Sequence, residues 1–158
     1  MVRAAPALLA AVLALWLAGC ASGPRAYDNT LPKNLLVRTK VDGGAVKAAV
    51  AFDIHRVNVD CSTDFDGRIN LENGTMQVGL PAGAPLYLDF VFVTGGGFTS
   101  SVGAVRHGTL LTARAGHDYR AEVSYARGIY SVEIREVRKG ADSRVVERVP
   151  LNACKARR

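Results

Sequence analysis

The sequence predicts an all-β fold, a single antiparallel β-sandwich of about 8–10 strands, on three observations. From Leu35 onward apolar residues recur with period two, not 3.6. Gly, Pro and Asn breaks separate these runs at roughly 8–12-residue spacing. No stretch of the same region carries a convincing amphipathic helix pattern.

The elements follow in order. Met1-Val2-Arg3 opens an uncharged, Ala/Leu-rich run from Ala4 to Leu17, closed by Ala18, Gly19 and Cys20. A charged start, an apolar middle and a small-residue close are the three parts of a secretory signal. The apolar span is shorter than the ~20 residues a bilayer-crossing helix needs. Leu17-Ala18-Gly19-Cys20 resembles a bacterial lipobox. That resemblance implies that residues 1–19 are a cleaved lipoprotein signal peptide and that Cys20 is acylated as residue one of the mature chain. Residues 20–34, with two prolines and little periodicity, read as the lipidated N-terminus and tether, leaving 35–158 as the sandwich domain.

Leu35–Lys40 is the first expected strand, turned by Asp42-Gly43-Gly44. In the second, Val46, Ala48, Val50, Phe52 and Ile54 share a face. Phe65–Leu71 is the third, and Asn73-Gly74 is expected to turn it into a hairpin with Thr75–Leu80. Pro81 and Pro85 mark a turn, because proline cannot donate to a central ladder. Leu86–Val93 is the most apolar run and reads as a central strand, ending in Thr94-Gly95-Gly96-Gly97. Ser101–Arg106 and Thr109–Arg114 are expected to pair around a turn at His107-Gly108. The clearest hairpin is last: Tyr119, Ala121, Val123 and Tyr125, then Arg127-Gly128, then Tyr130, Val132 and Ile134. A final strand is expected around Arg144–Val149.

Leu80-Pro81-Ala82-Gly83 and Arg114-Ala115-Gly116-His117-Asp118-Tyr119 resemble the turn-then-strand punctuation of transthyretin-like and carboxypeptidase-regulatory-like sandwiches. The sequence after the signal also resembles small bacterial envelope lipoproteins. This implies a location and a fold, and it carries over no catalytic residue.

Of three cysteines, Cys20 is assigned to the lipid, so Cys61 and Cys154 remain in an oxidising space, where a disulfide is expected. The alternative is a reactive or metal-binding thiol pair, for which neither residue has a CxxC partner or a histidine at ligand spacing. His55, His107 and His117 lie 52 and 10 positions apart, too far for a local metal motif. A site built by the fold from His107, His117 and Asp118 stays open as the basis of a metal-dependent hydrolase or ligand-binding protein. Asp60, Asp64 and Asp66 with Gly67 suggest calcium, but the twelfth position counted from Asp60 is Leu71, not the required Glu. Gly95-Gly96-Gly97 is followed by no Gly-Lys-Ser/Thr. No serine lies in Gly-x-Ser-x-Gly or Ser-x-x-Lys.

The net charge is +6, and Lys155-Ala156-Arg157-Arg158 forms a basic end without acidic neighbours. In an envelope such charge meets anionic polymers or lipid phosphates, and nucleic acid is excluded by compartment. The expectation is a non-enzymatic, cofactor-free lipoprotein anchored through Cys20. Its partner would be an envelope protein or an anionic envelope polymer. Cys20 is followed by Ala21 and Ser22, not by the Asp that would resemble an inner-membrane retention signal. The lipobox resemblance then implies the outer membrane, with the domain in the periplasm or at the cell surface.

Overall fold

A computed structural model describes residues 23–42, 47–95, 103–137 and 142–156. The expected signal, Cys20, Gly96, Gly97 and the terminal Arg157-Arg158 lie outside the described residues. Among the described residues, nine strands form two sheets: β1 (Leu35–Asp42), β2 (Lys47–Val57), β3 (Thr63–Leu71), β4 (Gly74–Val78), β5 (Pro85–Gly95), β6 (Gly103–Thr112), β7 (Asp118–Ala126), β8 (Ile129–Val137) and β9 (Arg144–Val145). One sheet has the order β4-β1-β7-β8-β9 and the other β3-β2-β5-β6. The expected β-sandwich is therefore present, mostly antiparallel, with one parallel pair, β1 beside β7.

The alternating residues meet between the sheets. Val50, Phe52 and Ile54 of β2 are buried, as are Leu86, Leu88, Phe90 and Phe92 of β5 and Tyr119, Ala121, Val123 and Tyr125 of β7. Phe52 and Phe90 stack with ring centroids 4.4 Å apart. Each of the Val, Leu, Ile and Phe side chains contributes about 1.5–3 kcal/mol by leaving water. The β7–β8 hairpin turns on Arg127 and Gly128, both at positive φ (51° and 82°), matching the right-handed twist of the flanking strands.

Two expected hairpins are corrected. β3 and β4 do not pair with each other. β3 pairs with β2, whereas β4 pairs with β1 in the opposite sheet. Residues 72 and 73 therefore carry the chain across the end of the sandwich. Asn73 serves this crossing with its side chain: its Nδ2 donates to the Val41 carbonyl, and its Oδ1 accepts from the Val41 amide. An amide side chain thus stands in for a strand peptide where the β1–β4 ladder stops.

His107-Gly108 is not a turn either. It lies inside β6, one continuous strand along β5, with His107 opposite Phe90 and Gly108 opposite Asp89. The glycine makes room: a Cβ there would fall 1.8 Å from the Tyr87 hydroxyl. The local Gly signal is a packing requirement, not a chain reversal.

Segments near the two chain ends bridge the sheets on opposite sides. Arg25–Asn34, expected as tether, is docked. Ala26 forms a parallel bridge with Arg68 of β3, and the Tyr27 hydroxyl donates to the Gly79 carbonyl beyond β4. Asn34 exchanges two hydrogen bonds with the Leu80 backbone. On the other side the expected strand over Arg144–Val149 pairs with β8 only at Arg144 and Val145, then crosses over. Val146 N–H donates to the Ile134 carbonyl of β8, while Leu110 N–H of β6 donates to the Val149 carbonyl. A short 3-10 turn, Leu151–Ala153, then delivers Cys154 to the end of the molecule.

Candidate functional site

A cleft of about 820 Å³ opens at the end where β2 and β6 finish and β3 and β5 begin. Four segments meet there. The β2–β3 turn folds on itself: Asn58 N–H donates to the Ser62 carbonyl at 2.9 Å and Cys61 N–H to the Asn58 carbonyl at 3.0 Å. This places Cys61 at φ 68°, a left-handed conformation uncommon outside glycine. The loop leading into β5 supplies Gly83 and the first residue of β5 supplies Pro85, β6 supplies Thr112, and the C-terminal strap supplies Cys154 and Lys155.

Cys61 and Cys154 are joined there, with Cα atoms 5.9 Å apart, across 93 residues of sequence. The expected pair is therefore brought together, and it fixes two of the four walls to each other.

The cleft combines apolar and charged groups. Val57, Val59 and Pro85 give carbon surface, while Asp60 and Lys155 supply one charge of each sign. Asp60 Oδ1 accepts from both the Ser62 amide (3.0 Å) and the Ser62 hydroxyl (2.7 Å). These bonds hold its carboxyl below the ordinary value of 3.8. Asn58 Nδ2 in turn donates to Asp64 Oδ2 at 3.2 Å, and Asp66 pairs with Arg56. The acidic residues that suggested calcium thus brace the turn. The cleft presents the means to bind an apolar group flanked by polar ones, and no histidine stands among its described lining residues.

His107, His117 and Asp118 are not gathered into one site. His107, on β6, lines a separate cavity of about 210 Å³ with Thr109, Ile134 and Arg148. Burial, reinforced by the Arg148 charge, pushes its imidazole below the ordinary 6.5. His117 belongs to the turn before β7, where its Nδ1 lies 2.6 Å from Glu136 Oε1, with the Arg114 guanidinium 3.8 Å from the same oxygen. Asp118 opens β7 opposite Val137 and is exposed. Among the described residues, no group of three or more His, Cys, Asp or Glu side chains is placed to hold a metal.

One polar cluster was not foreseen. On the outer face of the β3-β2-β5-β6 sheet, Arg68 forks onto Asp53 with contacts of 2.6 and 2.8 Å, and Arg106 reaches Asp89 at 2.5 Å. The bond to Asp53 raises the Arg68 pKa above its ordinary value. Next to these pairs His55 lies edge-on to Phe65, centroids 5.3 Å apart, and 6.0 Å from Tyr87. The positions sit in the polar phase of their strands, so alternation alone marks them as solvated. Their burial comes from neighbours across the sheet.

Comparison with protein-family models, curated proteins and solved structures yields no match for this chain.

Proposed function

We propose that this chain is a lipid-anchored protein of the bacterial envelope. In this reading its sandwich binds another envelope component through the cleft beside Cys61–Cys154. The observation that carries the reading is Leu17-Ala18-Gly19-Cys20 at the close of an apolar run of signal length. A disulfide bracing the rim of an apolar-and-charged cleft fits a domain that works outside the reducing cytosol. The role is binding: the described lining residues offer carbon surface and a charge of each sign, and the Ser62 hydroxyl is spent on Asp60 within its own turn. Ala21 and Ser22 after the anchor favour the outer membrane.

The test is fractionation with in-cell crosslinking of the full chain beside a Cys20→Ala variant. The native chain should sediment with membranes and Cys20→Ala should be soluble. A binding partner captured by the native chain should be lost on Val59→Glu or Lys155→Glu, which alter the cleft without touching the core. Membrane association unchanged by Cys20→Ala would overturn the anchor. Partner capture indifferent to both cleft variants would overturn the site.

A further inference from the structure

We infer that the disulfide end of the sandwich, with Val59 and Phe65 exposed on it, is the face apposed to the lipid headgroups of the membrane that holds the anchor. This rests on the lipidation of Cys20 proposed above and adds the orientation of the domain.

The direction of the docked N-terminal segment carries the inference. The bridge between Ala26 and Arg68 is parallel, with Arg68 N–H donating to the Arg25 carbonyl and Tyr27 N–H to the Arg68 carbonyl. Followed backwards from Ala26, the chain therefore heads toward Thr63, the start of β3. From the level of Gly67 to Thr63 is about 13 Å of strand at ~3.3 Å per residue. Cys20 lies five residues before Arg25, a reach of at most about 17 Å. Fully extended along β3, the anchor ends about 4 Å past Thr63, level with the turn that carries Cys61. Reversing direction within those five residues would use up the same length and leave Cys20 beside β3. Strands β2 and β5, each of 11 residues, span about 35 Å, so the β7–β8 tip stands far beyond the anchor's reach.

The surface at that end suits a headgroup layer. Val59 is 76% exposed and Phe65 37%, the latter an aromatic ring of the kind that settles at membrane interfaces. Arg25 and Lys155 carry positive charge there, and Arg56 is paired with Asp66. Asp60 and Asp64 accept from Ser62 and Asn58 while keeping their negative charge, so the fit to the headgroups rests on Val59 and Phe65. Lys155, the first basic residue of the C-terminal end, lines the cleft at the same place. The cleft then opens toward the lipid surface.

The test uses the full chain extracted from membranes, its acylation confirmed by intact mass, in vesicles of phosphatidylethanolamine and phosphatidylglycerol. A photo-crosslinking aromatic amino acid is placed in turn at Val59, Phe65 and Ile129, the last being exposed at the opposite end. Lipid adducts several-fold more abundant at Val59 and Phe65 than at Ile129 are expected. A flexible Gly/Ser insertion of about 15 residues between Ala21 and Ser22, long enough to release the constraint, should erase most of the difference. Acylated protein labelled equally at all three positions would overturn the orientation, and a difference that survives the insertion would overturn the short tether as its cause. A chain without the acyl mass would instead overturn the anchor.

Discussion

Asp53 of β2 and Asp89 of β5 stand directly opposite each other across the sheet, and both are almost fully buried. Like charges in that register repel, so the sheet depends on Arg68 and Arg106 from its two outer strands. The pairs are unequal: the Arg68 fork is 29% exposed and bidentate, whereas Arg106 is 61% exposed and makes one contact.

Arg68→Ala is therefore predicted to cost about 3–5 kcal/mol, because it strands a buried carboxylate beside a second one. Arg106→Ala should cost less, since that guanidinium is mostly solvated and makes one contact, and the Arg68 charge still acts on Asp89. Urea unfolding of the soluble domain measures both. Asp53→Leu combined with Arg68→Leu should recover most of the Arg68→Ala loss, separating lost pairing from stranded charge.

Gly108→Ala tests whether that glycine is a spacing device. The new methyl group must displace the Tyr87 ring, whose Oη and Cζ would lie 1.8 and 2.3 Å from it. A loss of about 1–3 kcal/mol is expected from such overpacking. Adding Tyr87→Ala should relieve part of it. A turn at this position, as the sequence suggests, would instead leave stability unchanged by Tyr87→Ala in the Gly108→Ala background.

Cys61→Ser with Cys154→Ser should destabilise the domain by up to about 4–5 kcal/mol, the loop-entropy value for a ring of this size. The strap beyond Arg144 makes few backbone bonds, so its loss should be local as well as global. Hydrogen exchange should quicken first at Leu110 and Val146, whose amides bond across the strap.

His107 gives a pH dependence of known sign. Its folded pKa lies below 6.5, mainly through burial, so the unfolded chain binds its proton more readily. The penalty is absent above 6.5, grows as pH falls through 6.5 and is complete below the folded pKa. Stability should thus drop as pH is lowered from 7 toward 5, and His107→Gln should flatten that slope in parallel urea titrations.

How legible the molecule was depends on the range of each signal. The β7–β8 hairpin was read residue by residue, because alternation and Arg127-Gly128 are local and agree. Asn73-Gly74 suggests a β3–β4 hairpin that does not form, since a turn signal does not say which sheet receives the next strand. The β1–β7 parallel pair joins segments more than 70 residues apart and leaves no local trace. Docking of Arg25–Asn34 was hidden for the same reason: Asn34 and Tyr27 resemble linker residues until Leu80 and Gly79 are placed beside them. The Cys61–Cys154 pair was legible by elimination, whereas the cleft it borders, made from four distant segments, was not.

The most direct test of the account is the intact mass of the native chain purified from bacterial membranes. A chain that starts at Cys20 and carries an acyl modification on that residue is predicted. A chain that retains residues 1–19, or that starts at an unmodified Cys20, would contradict the lipid-anchored reading.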